Sequence, residues 1–214
     1  MPPARLTRAT LAEATDALAR RDRGLARIVR RHGMPPLWAR RPGFATLARM
    51  ILEQQVSLAS AAALYRRVGE ELPAGWTPAS VLAAGGQGLR ARGLTRQKAR
   101  YVAELAARVA DGRLALANLA RVSDDEAHAE LVAVPGIGPW TASVYLLMAL
   151  LRPDTWPPGD LALHKALVAL RGLPCLPTRD EAIGIAAAWA PHRAVAARIL
   201  WHGYLSDRAA NANG

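Results

Sequence analysis

Two stretches hold the residue types that could do chemistry. The first is "LVAVPGIGPWTASVYLLMALL", residues 131–151, where Pro135-Gly136-Ile137-Gly138-Pro139 joins two apolar runs of helical character. A turn this short folds two helices back on one another as an αα-hairpin. Gly136 and Gly138 permit φ > 0 and leave the turn without side-chain cover, and Pro139 suits the first turn of a helix, where its missing N–H costs nothing. The result is a set of bare N–H groups at a helix N-terminus, which suits an anion such as phosphate. Taken alone, the same residues also describe an ordinary helix turn, because Gly and Pro punctuate helices everywhere. The second stretch is "WPPGDLALHKAL", residues 156–167. Asp160 follows Pro157, Pro158 and Gly159, lies 22 positions after Gly138, and precedes an apolar-periodic run. An Asp so placed is a common N-cap. A carboxylate held at a helix start can also face a developing positive charge.

Two further groups of side chains are polar where the pattern does not need polarity. Gln54 and Gln55 sit inside the largely apolar "ILEQQVS", residues 51–57. A buried glutamine without a partner is costly, so at least one of the pair is expected at a surface. The segment "LRARGLTRQKAR", residues 89–100, carries Arg90, Arg92, Arg96, Lys98 and Arg100 with no acid. It reads either as a solvated helix face or as a surface facing phosphate.

The elements that must position these groups are helical. Residues 9–31 form one helix with Thr10 a candidate N-cap, and 41–72 carry a helical stripe that Ser57 interrupts and can cap anew. Residues 76–86 are a short helix closed by Gly85-Gly86, and 93–112 a helix that begins at Thr95. Residues 123–134 open on a capping box from Ser123 to Glu126. Helices follow at about 139–151, 160–171, 178–189 and 192–206. No alternating strand pattern stands out, and the fold class expected is all-α.

Bulk composition narrows the function. The 214 residues are 51% hydrophobic, so the chain is not disordered and is long enough for one sizeable core or two small lobes. No apolar run approaches a membrane span, and the N-terminus reads as an amphipathic helix, not a signal peptide, so the expected compartment is cytoplasmic. The one cysteine, Cys175, excludes a disulfide within the chain and an iron–sulfur cluster, which needs about four thiolates. His32, His128, His164, His192 and His202 show no zinc-enzyme spacing. The formal charge of +11 comes from 28 basic residues, all Arg except Lys98 and Lys165, and points to a polyanionic partner.

The hairpin, the Pro/Gly loop and Asp160, in that order, resemble the helix-hairpin-helix/Gly-Pro-Asp DNA glycosylase superfamily. "ILEQQVS" and "GLTRQKARYVAELA" (93–106) are similar to its 3-methyladenine DNA glycosylase II branch. The resemblance covers roughly residues 42–206. It implies two helical lobes with a DNA-binding cleft between them. Residues 43–154 would be a central lobe ending in the hairpin, and 1–42 with 155–214 a second lobe carrying Asp160. The N-terminal β domain of many members is expected to be absent.

The function implied is a monofunctional glycosylase of base-excision repair, which flips out alkylated purines of the 3-methyladenine type and hydrolyses the N-glycosidic bond. Asp160 would be catalytic. Pro135, Gly136, Ile137 and Gly138 would grip a DNA phosphate, with a structural Na+ or K+ at the backbone of Val134 and Gly136 and no other cofactor. Gln55 would fill the gap left by the flipped base, Gln54 would support it, and Ser57, Arg96 and Lys98 would complete the DNA-binding set. Trp140 stands where bifunctional members carry a Schiff-base lysine, so no strand cleavage is expected. Trp140, Val144 and Trp201 would line the base pocket. Tyr145 lies one position from the branch's pocket tyrosine, and His164 is the nearest group that could assist protonation. The partner implied is double-stranded DNA containing damaged bases, bound at the nucleoid by a monomer. The rival readings are a glycosylase for a deaminated or oxidised base, and a helix-hairpin-helix DNA-binding protein without catalysis; the presence of Asp160 argues against the second.

Overall fold

The computed structural model describes residues 3–212, and every regular element among them is helical. In chain order these are α1 (Arg8–Arg21), α2 (Arg23–His32), α3 (Phe44–Glu53), α4 (Leu58–Glu71), α5 (Pro78–Ala91) and α6 (Arg96–Ala110). After a 3-10 turn at Asn118–Ala120 come α7 (Asp124–Val132), α8 (Pro139–Met148), α9 (Leu161–Arg171), α10 (Arg179–Ala187) and α11 (Arg193–Ala212). No helix among the described residues is long and apolar enough to cross a membrane.

Most helix starts follow local capping chemistry. Ser57, Thr77, Thr95, Ser123, Asp160 and Thr178 each accept a hydrogen bond from the backbone N–H three residues on. Two boundaries, at the start of α1 and at its join with α2, differ from the sequence expectation for a local reason. The single helix expected over 9–31 is two, because Asp22 leaves helical geometry (φ −133°) and turns its carboxylate onto the N–H groups of Gly24 and Leu25, ending α1 and opening α2. Thr7, not Thr10, caps α1, and Thr10 is its reciprocal partner in a capping box. Gly85 (φ +61°, ψ 175°) breaks the helical geometry where the sequence expectation closes the helix, and a second helical segment follows at once, so that α5 is two segments joined at a kink.

The chain divides into two compact units. The first is Arg40–Tyr145, and the second joins Ala4–Ala39 to the chain from Leu146 onward. In the first, α3 packs on α4 and α6, and α6 packs on α5. Its core includes Leu47, Ile51, Leu52, Val68, Leu89, Val102 and Leu105, all fully buried. Burying such a side chain contributes about 1.5–3 kcal/mol. In the second unit α11 is the central element, packed against α1, α2, α9 and α10 around Leu18, Leu25, Leu163, Leu167 and Leu200.

Candidate functional site

The hairpin lies in the first unit, between α7 and α8. Val134 and Ile137 point into the core, whereas Pro135 and Gly138 are exposed. The Ile137 N–H closes the turn on the Val134 carbonyl at 3.0 Å. The N–H groups of Gly136 and Gly138 make no hydrogen bond within the described protein, which is the arrangement an anion needs. The two glycines are required for different reasons. Gly136 has φ +90°, and a Cβ there would lie 2.4 Å from Cγ of Tyr101 on α6. Gly138 has open space where a Cβ would go and no positive φ. Gly136 is thus fixed by the fold, and Gly138 keeps the outer face of the turn bare.

The turn between α3 and α4 is tied to this hairpin. Gln54 donates from Nε2 to the Gly136 carbonyl (2.9 Å) and to Thr141 Oγ1 (3.3 Å). Gln55 is exposed and sits at φ +58°, an uncommon conformation for a residue with a side chain. Glu53, just before them, accepts from Arg40 Nη1 and Arg49 Nε, each at 2.9 Å. Ser57 is exposed at the start of α4. The Gly136 carbonyl accepts from Gln54 and the Val134 carbonyl from Ile137. Each of these two oxygens keeps a second lone pair, which is what a Na+ or K+ would coordinate.

The basic segment separates into two groups. Lys98, expected to face phosphate, donates from Nζ to the Leu52 carbonyl at 2.8 Å at the C-terminal end of α3; burial lowers its pKa. Arg92 pairs with Glu71 at 3.3 Å and donates to the Gly88 carbonyl. Arg90, Arg96 and Arg100 line a shallow groove between α5 and α6 with Gly86 and Gln87. Trp140 is 39% exposed on the first turn of α8. Val144 and Tyr145, further along, are buried, and the Tyr145 hydroxyl accepts the Gly43 N–H at 2.9 Å. Burial raises the Tyr145 pKa, and that hydrogen bond offsets part of the rise.

Asp160 belongs to the second unit, at the start of α9. It is 8% exposed, and its Oδ1 accepts from the Leu163 N–H (2.9 Å) and from Trp201 Nε1 (3.1 Å). The N-cap and the indole together fix the plane of the carboxylate at the positive end of the helix dipole. Trp201, expected as a base-facing wall, is 7% exposed, and its N–H is directed at Asp160. His164, the expected helper in protonation, is buried one turn along, with an Nε2 that has no hydrogen-bond partner.

Two residues escaped the sequence reading. Tyr101 fills the place under Gly136, yet its segment drew notice for its cations and its family resemblance and not for this ring. Trp38 packs its ring edge-to-face with Trp201, centroids 6.4 Å apart at 70°, from a proline-rich loop outside the span of the resemblance.

The Bacillus subtilis protein YfjP is 28% identical over 184 residues, which is 83% of this chain and 64% of that one. This chain therefore spans less than two thirds of that curated relative. The crystal structure of a DNA-3-methyladenine glycosidase from Bacillus halodurans superposes with a TM-score of 0.78 at 28% identity, covering 91% of this chain and 88% of that one. A 3-methyladenine DNA glycosylase of Schizosaccharomyces pombe, solved in complex with abasic DNA, gives a TM-score of 0.71 at 25% identity over 88% of this chain and 95% of its own. Residues 48–191 match the family described as HhH-GPD superfamily base excision DNA repair protein, and with the hairpin and Asp160 in place within that span, the chain belongs to the HhH-GPD superfamily.

Proposed function

We propose that the protein is a monofunctional DNA glycosylase that releases alkylated purines, 3-methyladenine foremost, from double-stranded DNA. The observation that carries this reading is the Asp160 carboxylate, oriented by the Leu163 amide and the Trp201 indole at the start of α9. Breaking the bond between the base and C1′ places positive charge on the sugar. A fixed carboxylate stabilises that charge and orients the attacking water, whose oxygen bonds to C1′ while its proton leaves to solvent. Trp140 offers no amine to form a Schiff base, so water is the nucleophile and the strand stays intact.

The remaining residues hold the DNA. The bare amides of Gly136 and Gly138 take a phosphate oxygen, and Gln55 enters the space left by the extracted base, which recovers part of the few kcal/mol that flipping costs. Arg96 adds charge along the backbone. N3- and N7-alkylated purines carry a positive charge and leave without prior protonation, so they need a carboxylate but no strong general acid. The exposed indole face of Trp140 also attracts a cation.

The test is to measure single-turnover release of the free base from matched duplexes, each containing one lesion. The expected outcome is fast release of 3-methyladenine, slow release of neutral hypoxanthine and an uncut strand. Equal rates on cationic and neutral lesions would remove the charge argument. No release from any of them would return the chain to a DNA-binding role.

A further inference from the structure

We propose that Trp38 is a positioning residue for the Asp160 carboxylate, acting through Trp201. The inference rests on the glycosylase reading for its effect on rate, and on geometry alone for its effect on structure. Trp201 donates its indole N–H to Asp160 Oδ1 at 3.1 Å. That bond survives only while the indole keeps one orientation, because turning the ring about its χ2 axis carries Nε1 away. The Trp38 ring stands at 70° to the Trp201 ring with centroids 6.4 Å apart, an edge-to-face contact that resists the turn. Trp38 makes a second contact of the same kind with His202, the next residue on α11.

Trp38 is itself held in a conformation it would not choose. Its φ of +46° is a genuine outlier for a bulky residue and must be maintained by its surroundings. The clamp is Arg198, fully buried on α11. Its Nε donates to the Leu37 carbonyl at 3.0 Å, immediately before Trp38. Its Nη1 and Nη2 donate to the carbonyls of Ala194 and Leu147 at 3.0 and 2.6 Å. His202 is fixed in turn by its Nε2 against the His32 carbonyl at 2.9 Å. The chain of contacts runs from a buried guanidinium through a strained backbone to one indole, then to a second indole, and ends on the carboxylate. A Trp kept at positive φ on the flank of that indole is an expensive device for packing alone, and backbone strain of this kind collects where geometry has to be set.

The experiment uses the full-length chain with its indoles labelled with nitrogen-15. The chain has six tryptophans, so at most six indole N–H signals appear, and Trp201→Phe identifies the one belonging to Trp201. In Trp38→Ala the Trp201 signal is expected to move and to exchange faster with solvent. Single-turnover base release should fall on the order of tenfold, with DNA affinity changed less than twofold. Trp38→Phe, which keeps an aromatic edge, should restore both readouts. If Trp38→Ala does not fold, Trp38→Leu takes its place, keeping bulk without the ring. An unmoved Trp201 signal overturns the proposal, and so does a loss of rate matched by an equal loss of DNA affinity. If the wild-type protein releases no base, the glycosylase reading fails, while the indole signal still decides whether Trp38 orients Trp201.

Discussion

Asp160 performs the ordinary duty of an N-cap through the Leu163 amide, and that bond together with the one from the Trp201 indole makes it a fixed charge. Asn is also a good N-cap, so Asp160→Asn should fold normally while losing the carboxylate charge. Base release is expected to fall by roughly a hundredfold or more, with DNA affinity within a few-fold of wild type, in single-turnover and binding assays. A variant with wild-type turnover would take Asp160 out of the mechanism. Its cap was legible from the apolar run that follows it; the bond from Trp201, 41 residues downstream, was not, because sequence pattern reports neighbours along a helix and not across a core.

The hairpin glycines divide in the same way. Their turn was plain in the sequence, but only the structure separates Gly136, whose missing Cβ is replaced by Tyr101, from Gly138, which faces open space. Gly136→Ala should lower the melting temperature sharply. Gly138→Ala should fold as well as wild type yet bind all DNA sequences more weakly, as a phosphate contact requires. Equal melting temperatures for the two variants would contradict this division.

Helix starts were read well at Ser57, Thr95, Ser123 and Asp160, and badly where a buried side chain decided them. The join between α1 and α2 is the clearest case. Asp22 looks like one acid in a basic amphipathic helix, yet it is 8% exposed and accepts from Trp189 Nε1 at 2.9 Å and Arg171 Nη2 at 2.6 Å as well as from the α2 amides. Both side-chain partners lie about 150 residues or more further along, beyond the reach of any local pattern. Burial acts to raise the Asp22 pKa, but the hydrogen bonds from Trp189, Arg171 and the Leu25 N–H, with the charge of Arg171, outweigh it and hold the carboxyl below its usual 3.8. Stability from this group is therefore complete above the unfolded value and is lost as pH falls through the lower folded value. Asp22→Ala removes the cap and the carboxylate together and should cost about 3 kcal/mol, seen as a drop of roughly 10 °C in thermal unfolding at neutral pH. Its unfolding temperature should also fall less than that of wild type between neutral pH and the acid side of 3.8. A wild-type slope in that range would mean that other carboxylates govern acid unfolding.

Net charge was the broadest clue in the sequence and the least resolved. A value of +11 points to an anionic partner and says nothing about which cations would meet it. Lys98 donates to a carbonyl at the end of α3, whereas Arg96 stands at the groove with Arg90 and Arg100, which makes the two cations separable by experiment. Arg96→Gln should reduce the slope of log affinity against log salt by about one unit on undamaged duplex DNA. Lys98→Gln should leave that slope alone and lower thermal stability. The reverse pattern would put Lys98 on the phosphates and Arg96 off them. The all-helical class was legible throughout because one period, repeated along the chain, is enough to announce it. The helical period alone does not give the division into units, which depends on which apolar faces meet; the lobes expected at 43–154 and at 1–42 with 155–214 came from the family resemblance. The first unit is one continuous stretch, but the second is assembled from residues 4–39 and the chain from 146 onward. During synthesis, then, α1 and α2 leave the ribosome well before the helices that complete their unit. At roughly 5–20 residues per second, the apolar faces that hold Leu18 and Leu25 wait several seconds or longer for α9 and α11. Over that interval α1 and α2 expose apolar faces of the kind that chaperones recognise, and a truncation after α8 would leave those faces uncovered.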